Sequence, residues 1–384
     1  MRMRRYAWLA AGLGIAACEA PSDGSVGPTV RDSAGVRVVE HTAAPMPTPA
    51  FALGEAPRMR WGLAESGDLT LFSIEGGALL PGAVVVADGG NHRLIRWSLD
   101  GELLGMSGTR GEGPGEFQII AWLQATGEGL ALYDGPARRI SWFGEDGTFL
   151  RSMQLRMDPP TPRSDDGIVA SGASLAVVGP SELIAYPMAY ADPTGSAGPL
   201  PVHGDLAVYD SASTPMREIG RTTLIEWYED PDIEGFPLAN RMETPTVHWS
   251  ARDDLMAITD VVRHRVDVLE LGRRRTVILE EGSRISFVPD SIADGYHLAA
   301  DSLQAYRDVR VDAEARIWVK PAVAPGIETT TWRVFDVDGM RIGQLSLPTD
   351  ATILDATADL ILLSRRSDLD EESVELWDLT PPEG

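Results

Sequence analysis

Residues 83–105 read AVVVADGGNHRLIRWSLDGELLG, and residues 130–152 read LALYDGPARRISWFGEDGTFLRS. The two stretches carry the same pattern. Asp88 and Asp134 stand 46 residues apart, and the same offset relates Arg93 to Arg139, Leu94 to Ile140, Trp97 to Phe143 and Asp100-Gly101 to Asp146-Gly147. A third copy, ITDVVRHRVDVLEL at 258–271, keeps the spacing of Asp260, Arg265 and Val266. A shorter one, RVFDVDGMRIG at 333–343, keeps the Asp338-Gly339 pair. Self-similarity at a period of 40–50 residues is the mark of a repeat architecture, so the repeat sets the fold before any single element is assigned.

Each copy divides into strands. Ala83 to Ala87 is a short continuous apolar run, which suits a strand covered on both faces. Arg93 to Leu99 is rich in aliphatic and aromatic residues, and the Asp-Gly that follows is a two-residue hairpin turn, whose central positions need positive φ. A further strand precedes each apolar run, entered through the turns LLPGAV (79–84), ATGEGL (125–130), GPSEL (179–183), SARDDL (250–255), DAEARI (312–317) and ATADL (356–360). Six buried strands then begin near 83, 130, 183, 255, 317 and 360. Four-stranded sheets at this spacing predict an all-β chain folded as a six-bladed β-propeller with four-stranded antiparallel blades. The sixth unit ends after its third strand, at Ser373 to Leu379. The unpaired segment GVRVVE at Gly35 to Glu40 is expected to supply the missing strand and join the two ends of the chain.

Between the first two copies lies GMSGTRGEGPGEF (105–117), with glycines at 105, 108, 111, 113 and 115. A phosphate loop would need a Lys and a Ser or Thr at fixed offsets. This stretch has Arg110 as its one cation, and Glu112 and Glu116 oppose an anion. The glycines instead suit a tight crossing from one blade to the next, with Phe117 entering the core. With that crossing the unit resembles an NHL repeat of the six-bladed propeller lipoproteins of bacteria. The matching residues are Asp88, Asn91, Arg93, Leu94, Asp100, Gly101, Gly111, Gly113, Pro114, Gly115 and Phe117. The resemblance weakens along the chain and is poorest near 168–220. It implies a radial fold across most of residues 35–379, and a central channel in which related enzymes, lactonases and amidating lyases, gather metal ligands from several blades.

The N-terminus reads as a targeting segment. Arg2, Arg4 and Arg5 precede an apolar stretch, Tyr6 to Ala17, too short to cross a bilayer as a helix. It ends Ile15-Ala16-Ala17-Cys18, which resembles a bacterial lipobox, and Cys18 is the only cysteine. Residues 1–17 are therefore expected to be a lipoprotein signal peptide, 18–34 a flexible tether and 35–384 the propeller, with Cys18 as the lipidation site. Glu19 after the cysteine leans towards the outer membrane of a bacterial cell envelope, facing periplasm or surface. The net charge is −24, and loss of the three arginines deepens it. That balance excludes nucleic acid as a partner and excludes electrostatic adhesion to an anionic membrane, leaving the lipid as the only membrane attachment.

Long connections gather on one face, between second and third strands and between blades, and long loops on a rigid scaffold carry binding. That face is expected to bind a protein, peptide or glycan. The acidic and aromatic loop EWYEDPDIEGF (226–236) offers Trp227, Tyr228, Asp230, Asp232 and Phe236, and the segment 286–306 is expected to hold a short helix over the channel. His248 and Arg307 are placed to reach the channel. The sequence calls for no cofactor. Calcium at Asp230, Asp232 and Glu234 is the single option, and that loop lacks the remaining ligands of a calcium loop. There is no nucleophile elbow and no His pair at metal-ligand spacing. A binding module is the expected function, with a channel-centred metal-dependent hydrolase or lyase as the alternative.

Overall fold

The computed structural model describes residues 27–42, 48–62, 69–155, 246–282, 305–324, 326–367 and 369–382, together with the strands between 168 and 239 and at 286–287 and 301–302. The described residues are all β, broken by one 3-10 turn at Gly89–Asn91, with no α-helix. Five regular blades form a propeller. Blade I comprises Ile74–Leu80, Ala83–Asp88, Arg93–Ser98 and Leu103–Ser107. Blade II comprises Ile120–Thr126, Gly129–Asp134, Arg139–Phe143 and Phe149–Gln154. Blade III comprises Trp249–Arg252, Leu255–Thr259, Arg265–Glu270 and Arg273–Glu280, and blade IV Tyr306–Val311, Ile317–Pro321, Thr329–Phe335 and Arg341–Pro348. Blade V comprises Ala351–Ala356, Leu360–Arg366 and Glu372–Thr380. In each, consecutive strands pair antiparallel, and the second strand is the covered one: Ala83–Asp88 and Gly129–Asp134 are buried throughout.

The expectation of six like blades is corrected to five. The chain between blades II and III, 168–239, forms a seven-stranded sheet that includes a long ribbon, Gly198–Tyr209 against Pro215–Glu229. One of its strands, Ser174–Val178, is held to blade II by a side chain. The Gln124 amide donates to the Val177 carbonyl at 2.6 Å and accepts from the Val177 N–H at 3.1 Å. On the axis, however, blades II and III meet each other: Trp122 and Trp249, on their first strands, pack edge to face at 5.8 Å. The repeat fades in the same stretch, since 168–220 lacks the Asp-x4-Arg spacing of the first three copies.

The ends of the chain do share the last blade, but through a different segment from the one expected. Met59–Trp61 pairs with Leu376, Glu375 and Val374, and Ala52–Leu53 pairs with Thr380 and Leu379. Buried Trp61 stacks on Trp97 of blade I at 5.1 Å, so it spans the closing joint. Arg60 bonds Glu375 and Arg58 bonds Asp378, both at 2.6 Å. The predicted closing strand, Val36–His41, instead runs parallel to Arg273–Glu280 on the outer edge of blade III. Thr29–Ser33, within the segment read as a tether, folds back against it as an exposed hairpin arm. Val39 is fully buried there, and His41 Nε2 lies 2.8 Å from the Gly339 carbonyl oxygen. Val38 and Val39, both buried, therefore find cover on blade III, leaving the edge of blade V to residues 52–61.

The conserved pattern of the repeats has a structural cause in each copy. The buried Asp88 carboxylate accepts from Arg93 Nε at 2.8 Å, from the Asn91 amide and from the Phe72 N–H at 3.0 Å. Asp134 accepts from the Gln118 N–H at 2.8 Å in the same manner. One aspartate thus ties the turn inside a blade to the strand entering it, satisfying backbone donors that would otherwise be buried unpaired. In the third copy the partners are exchanged: Asp260 caps its own turn at the Val262 and Arg263 N–H groups, and Arg265 pairs with Asp267 at 2.6 Å.

Candidate functional site

The first strands of all five blades meet around the axis and line a cavity of about 350 Å³. Blade I contributes Glu75, Gly76 and Gly77, blade II the stretch Ala121–Ala125 with Tyr133, and blade III Val247–Arg252. Blade IV contributes Asp308, Arg310 and Val311, and blade V Leu354 and Asp355. Gly77 is required by closeness: a Cβ there would stand 2.9 Å from side-chain carbons of both Leu354 and Leu362.

The cavity has an aromatic wall and a charged wall. Trp122 stacks on Tyr133 at 5.7 Å and meets Trp249 edge to face. The Trp122 indole N–H has no acceptor among the described residues. On the charged side, Arg252 reaches across the axis to Asp355 with both contacts at 2.8 Å. Asp355 also accepts from the Leu79 N–H at 2.8 Å, so one buried carboxylate joins blades III, V and I. Burial pushes the pKa of Asp355 above its ordinary value, although Arg252 and the backbone donors pull it down. Arg310 pairs with Asp308 at 3.1 Å and donates to the Ile353 carbonyl at 2.7 Å. Ser250 Oγ accepts from the Val311 N–H at 3.0 Å, a further link between blades III and IV.

His248 stands at the entrance to the first strand of blade III and lines the cavity. Burial holds its pKa below the ordinary histidine value; Asp308 opposes this, and Arg310, Arg307 and Lys320 reinforce it. The imidazole is therefore neutral at neutral pH. Arg307 precedes Asp308 on the first strand of blade IV and is not itself part of the lining. Lys320, behind Asp308, donates to the carbonyls of Thr349 and Ala351 at 3.0 and 2.9 Å. Of the other residues singled out in the sequence, Trp227 and Tyr228 lie on the strand Pro215–Glu229. Asp230, Asp232, Phe236, Cys18 and the helix expected after Pro289 lie outside the described residues.

A second cavity of about 550 Å³ adjoins the first between blades IV, V and I, and the two share Glu75, Gly76, Arg310 and Leu354. Its arginines are matched to acids, Arg365 with Asp350 at 2.8 Å and Arg366 with Glu372 at 2.6 Å. Among the described residues no group of three or more His, Cys, Asp or Glu side chains could hold a metal ion. Glu75, Gln124, Arg252 and Asp355 were not singled out by sequence reasoning. Each sits on a first strand whose neighbours across the axis lie up to 280 residues away, and no local pattern marks that convergence.

No family model matches the chain, and no curated protein matches it. Among solved structures, one from Bacteroides fragilis NCTC 9343, described as an exported protein, is 11% identical with a TM-score of 0.49. The match covers 90% of this chain and 100% of that one. A member of the DUF4221 family from Bacteroides vulgatus ATCC 8482 is 9% identical with a TM-score of 0.47, covering 87% and 99%. Streptogramin B lyase is 11% identical with a TM-score of 0.40, covering 85% and 97%. The likeness is one of overall shape, and no residue role is taken from it.

Proposed function

We propose that this chain is a lipid-anchored protein of the bacterial cell envelope whose propeller binds a peptide or glycan in the axial cavity. The observation that carries the reading is the cavity itself: five strands from five blades bring an aromatic wall and fixed polar groups to one concave space. Its arginines are already tied to carboxylates and carbonyls, so the walls are held in place before any ligand arrives. Preorganised polar groups beside aromatic surface are the make-up of a binding site. Exposed Phe72, Ile119, Ile327 and Leu369 all lie on connections of the face expected to carry the long loops, and they offer apolar surface there. Attachment through Cys18 rests on the lipobox and the lone cysteine. The metal-dependent alternative gains no support from the described residues, whose acids and histidines do not converge in threes.

Two measurements test this. A screen of oligosaccharides and short peptides against the full chain should shift its melting temperature and quench the fluorescence of Trp122 and Trp249. Loss of the quench in Trp249→Phe would place the ligand on the aromatic wall. Ligands that bind the Trp249→Phe, His248→Ala double variant unchanged would remove the axial cavity from consideration. For the anchor, Cys18→Ala should move the protein from the membrane fraction to the soluble one.

A further inference from the structure

Glu75 differs from every other carboxylate around the two cavities. Asp308, Asp350, Asp355 and Glu372 each have an arginine within 3.1 Å. Glu75 accepts only from the Ser73 hydroxyl, at 2.6 Å, and has no cationic partner among the described residues. Its place is built. Gly89 leaves the room its side chain fills, since a Cβ at Gly89 would stand 2.6 Å from Glu75 Cγ. Ser73 holds one carboxylate oxygen in a fixed position. Glu75 also lies at the neck where the two cavities join, so it borders both.

An unpaired carboxylate that is partly desolvated is a poor element of stability and a good element of recognition. Burial disfavours its charge, and Glu372 nearby disfavours it further. A bound cation would relieve both effects at once. No arginine among the described lining residues does so, because each one already has an acid. The aromatic wall of the first cavity also favours a cation brought close to it.

We propose that Glu75 is the specificity-determining residue of the axial site and selects ligands carrying a protonated amine, such as a basic peptide side chain or an amino sugar, extended across the neck between the two cavities. This inference rests on the reading of the axial cavity as a binding site. It excludes acidic ligands from the neck, where Glu75 and Glu372 would repel them.

The test uses matched probes on the full chain: pentane diamine against pentane diol, and a glucosamine trimer against its N-acetylated form. Calorimetry and tryptophan fluorescence give the affinities. The amine of each pair should bind at least about tenfold tighter than its neutral counterpart. Glu75→Gln, close in shape, should erase that preference while keeping a cooperative thermal transition, and Glu75→Asp should retain part of it. If amine and neutral probes bind equally, or if Glu75→Gln keeps the preference, amine selection is overturned while the cavity still binds. If the probes bind with an amine preference that Trp249→Phe and His248→Ala leave untouched, the amine site lies elsewhere and both readings fall. Absence of binding by every probe overturns amine selection alone, and the wider oligosaccharide and peptide screen then decides the cavity.

Discussion

At the scale of single residues, the glycine-rich crossing shows what a local pattern can and cannot reveal. One of its backbone donors does meet an anion, but the anion is internal. The Glu116 carboxylate accepts from the Gly113 N–H at 2.8 Å, and Arg139 ties the loop to blade II through the carbonyls of Glu112 and Glu116 at 2.6 and 2.5 Å. Gly108 is the residue the crossing depends on. It has φ +97°, and a Cβ there would lie 2.5 Å from the ring of buried Phe117. Gly108→Ala should therefore cost about 2–4 kcal/mol, combining a disfavoured backbone conformation with overpacking. Urea denaturation of the purified variant measures it, and a loss below about 0.5 kcal/mol would show that the crossing can relax. Glu75 gives the opposite case. Its pKa is raised, so the native state holds the proton more tightly than the unfolded chain. Stability attributable to this group falls as pH rises from the ordinary value through the folded one, and the cost persists above it. Glu75→Gln should melt higher than the parent at pH 7.5, with the gap shrinking towards about pH 4 as the parent's carboxyl is protonated. A lower melting temperature at pH 7.5 would mean that Glu75 has an undetected stabilising partner.

At the scale of elements, the strands were legible because each blade carries its own local signals: a continuous apolar run, an Asp-Gly turn, an Asp and Arg at fixed spacing. Blades I and II show all of these, and the described hairpins fall where the turns predicted them. What the pattern could not show is how blades join, because those contacts are made between residues far apart in sequence. Glu280 is the clearest example. It ends the last strand of blade III and is buried against Arg333 and Arg341 of blade IV, with the Tyr306 hydroxyl donating to it at 2.7 Å. Burial pushes its pKa up, but Arg333, the Tyr306 hydrogen bond and Arg341 outweigh that and hold it below the ordinary value. The same burial, with Glu280 beside it, raises the Tyr306 hydroxyl well above the usual tyrosine range. Removing the carboxylate leaves two guanidinium groups facing each other in the joint, so Glu280→Ala should cost about 3–5 kcal/mol. Because the folded pKa is depressed, this contribution is complete above the ordinary glutamate range and is lost as pH falls through the folded value. The parent and Glu280→Ala should therefore converge in stability under acid, and a stability gap that stayed constant down to about pH 3 would argue against the ion network.

At the scale of the whole molecule, the ring must be closed, and the chain closes it with a segment that carries no repeat signal. Residues 52–61 give no strand signal because two short strands separated by Gly and Pro look like a loop, whereas GVRVVE looks like a strand. The axial site is illegible in the sequence for a related reason: it exists only once five blades surround one axis, and at 168–239, where the repeat fades, the turn pattern suggests a blade more than the fold has. Closure can be tested directly. Trp61 is 3% exposed, stacks on Trp97 and packs in one core cluster with Leu362, Val374 and Leu376, so it fastens blade V to blade I. Trp61→Ala should cost about 3–5 kcal/mol, as for other large buried aromatics, and should loosen both ends of the closing joint together. The exposed arm Thr29–Ser33 lies outside the ring, and Val30→Ser, changing one of its exposed residues, should leave stability within about 0.5 kcal/mol of the parent. Hydrogen exchange resolves the two cases. In Trp61→Ala, amides of Glu372–Thr380 and Arg93–Ser98 should lose protection while those of blade III keep theirs. If protection fell instead along Arg273–Glu280, the edge of blade III would be the true clasp, and residues 36–41 would hold the propeller shut after all.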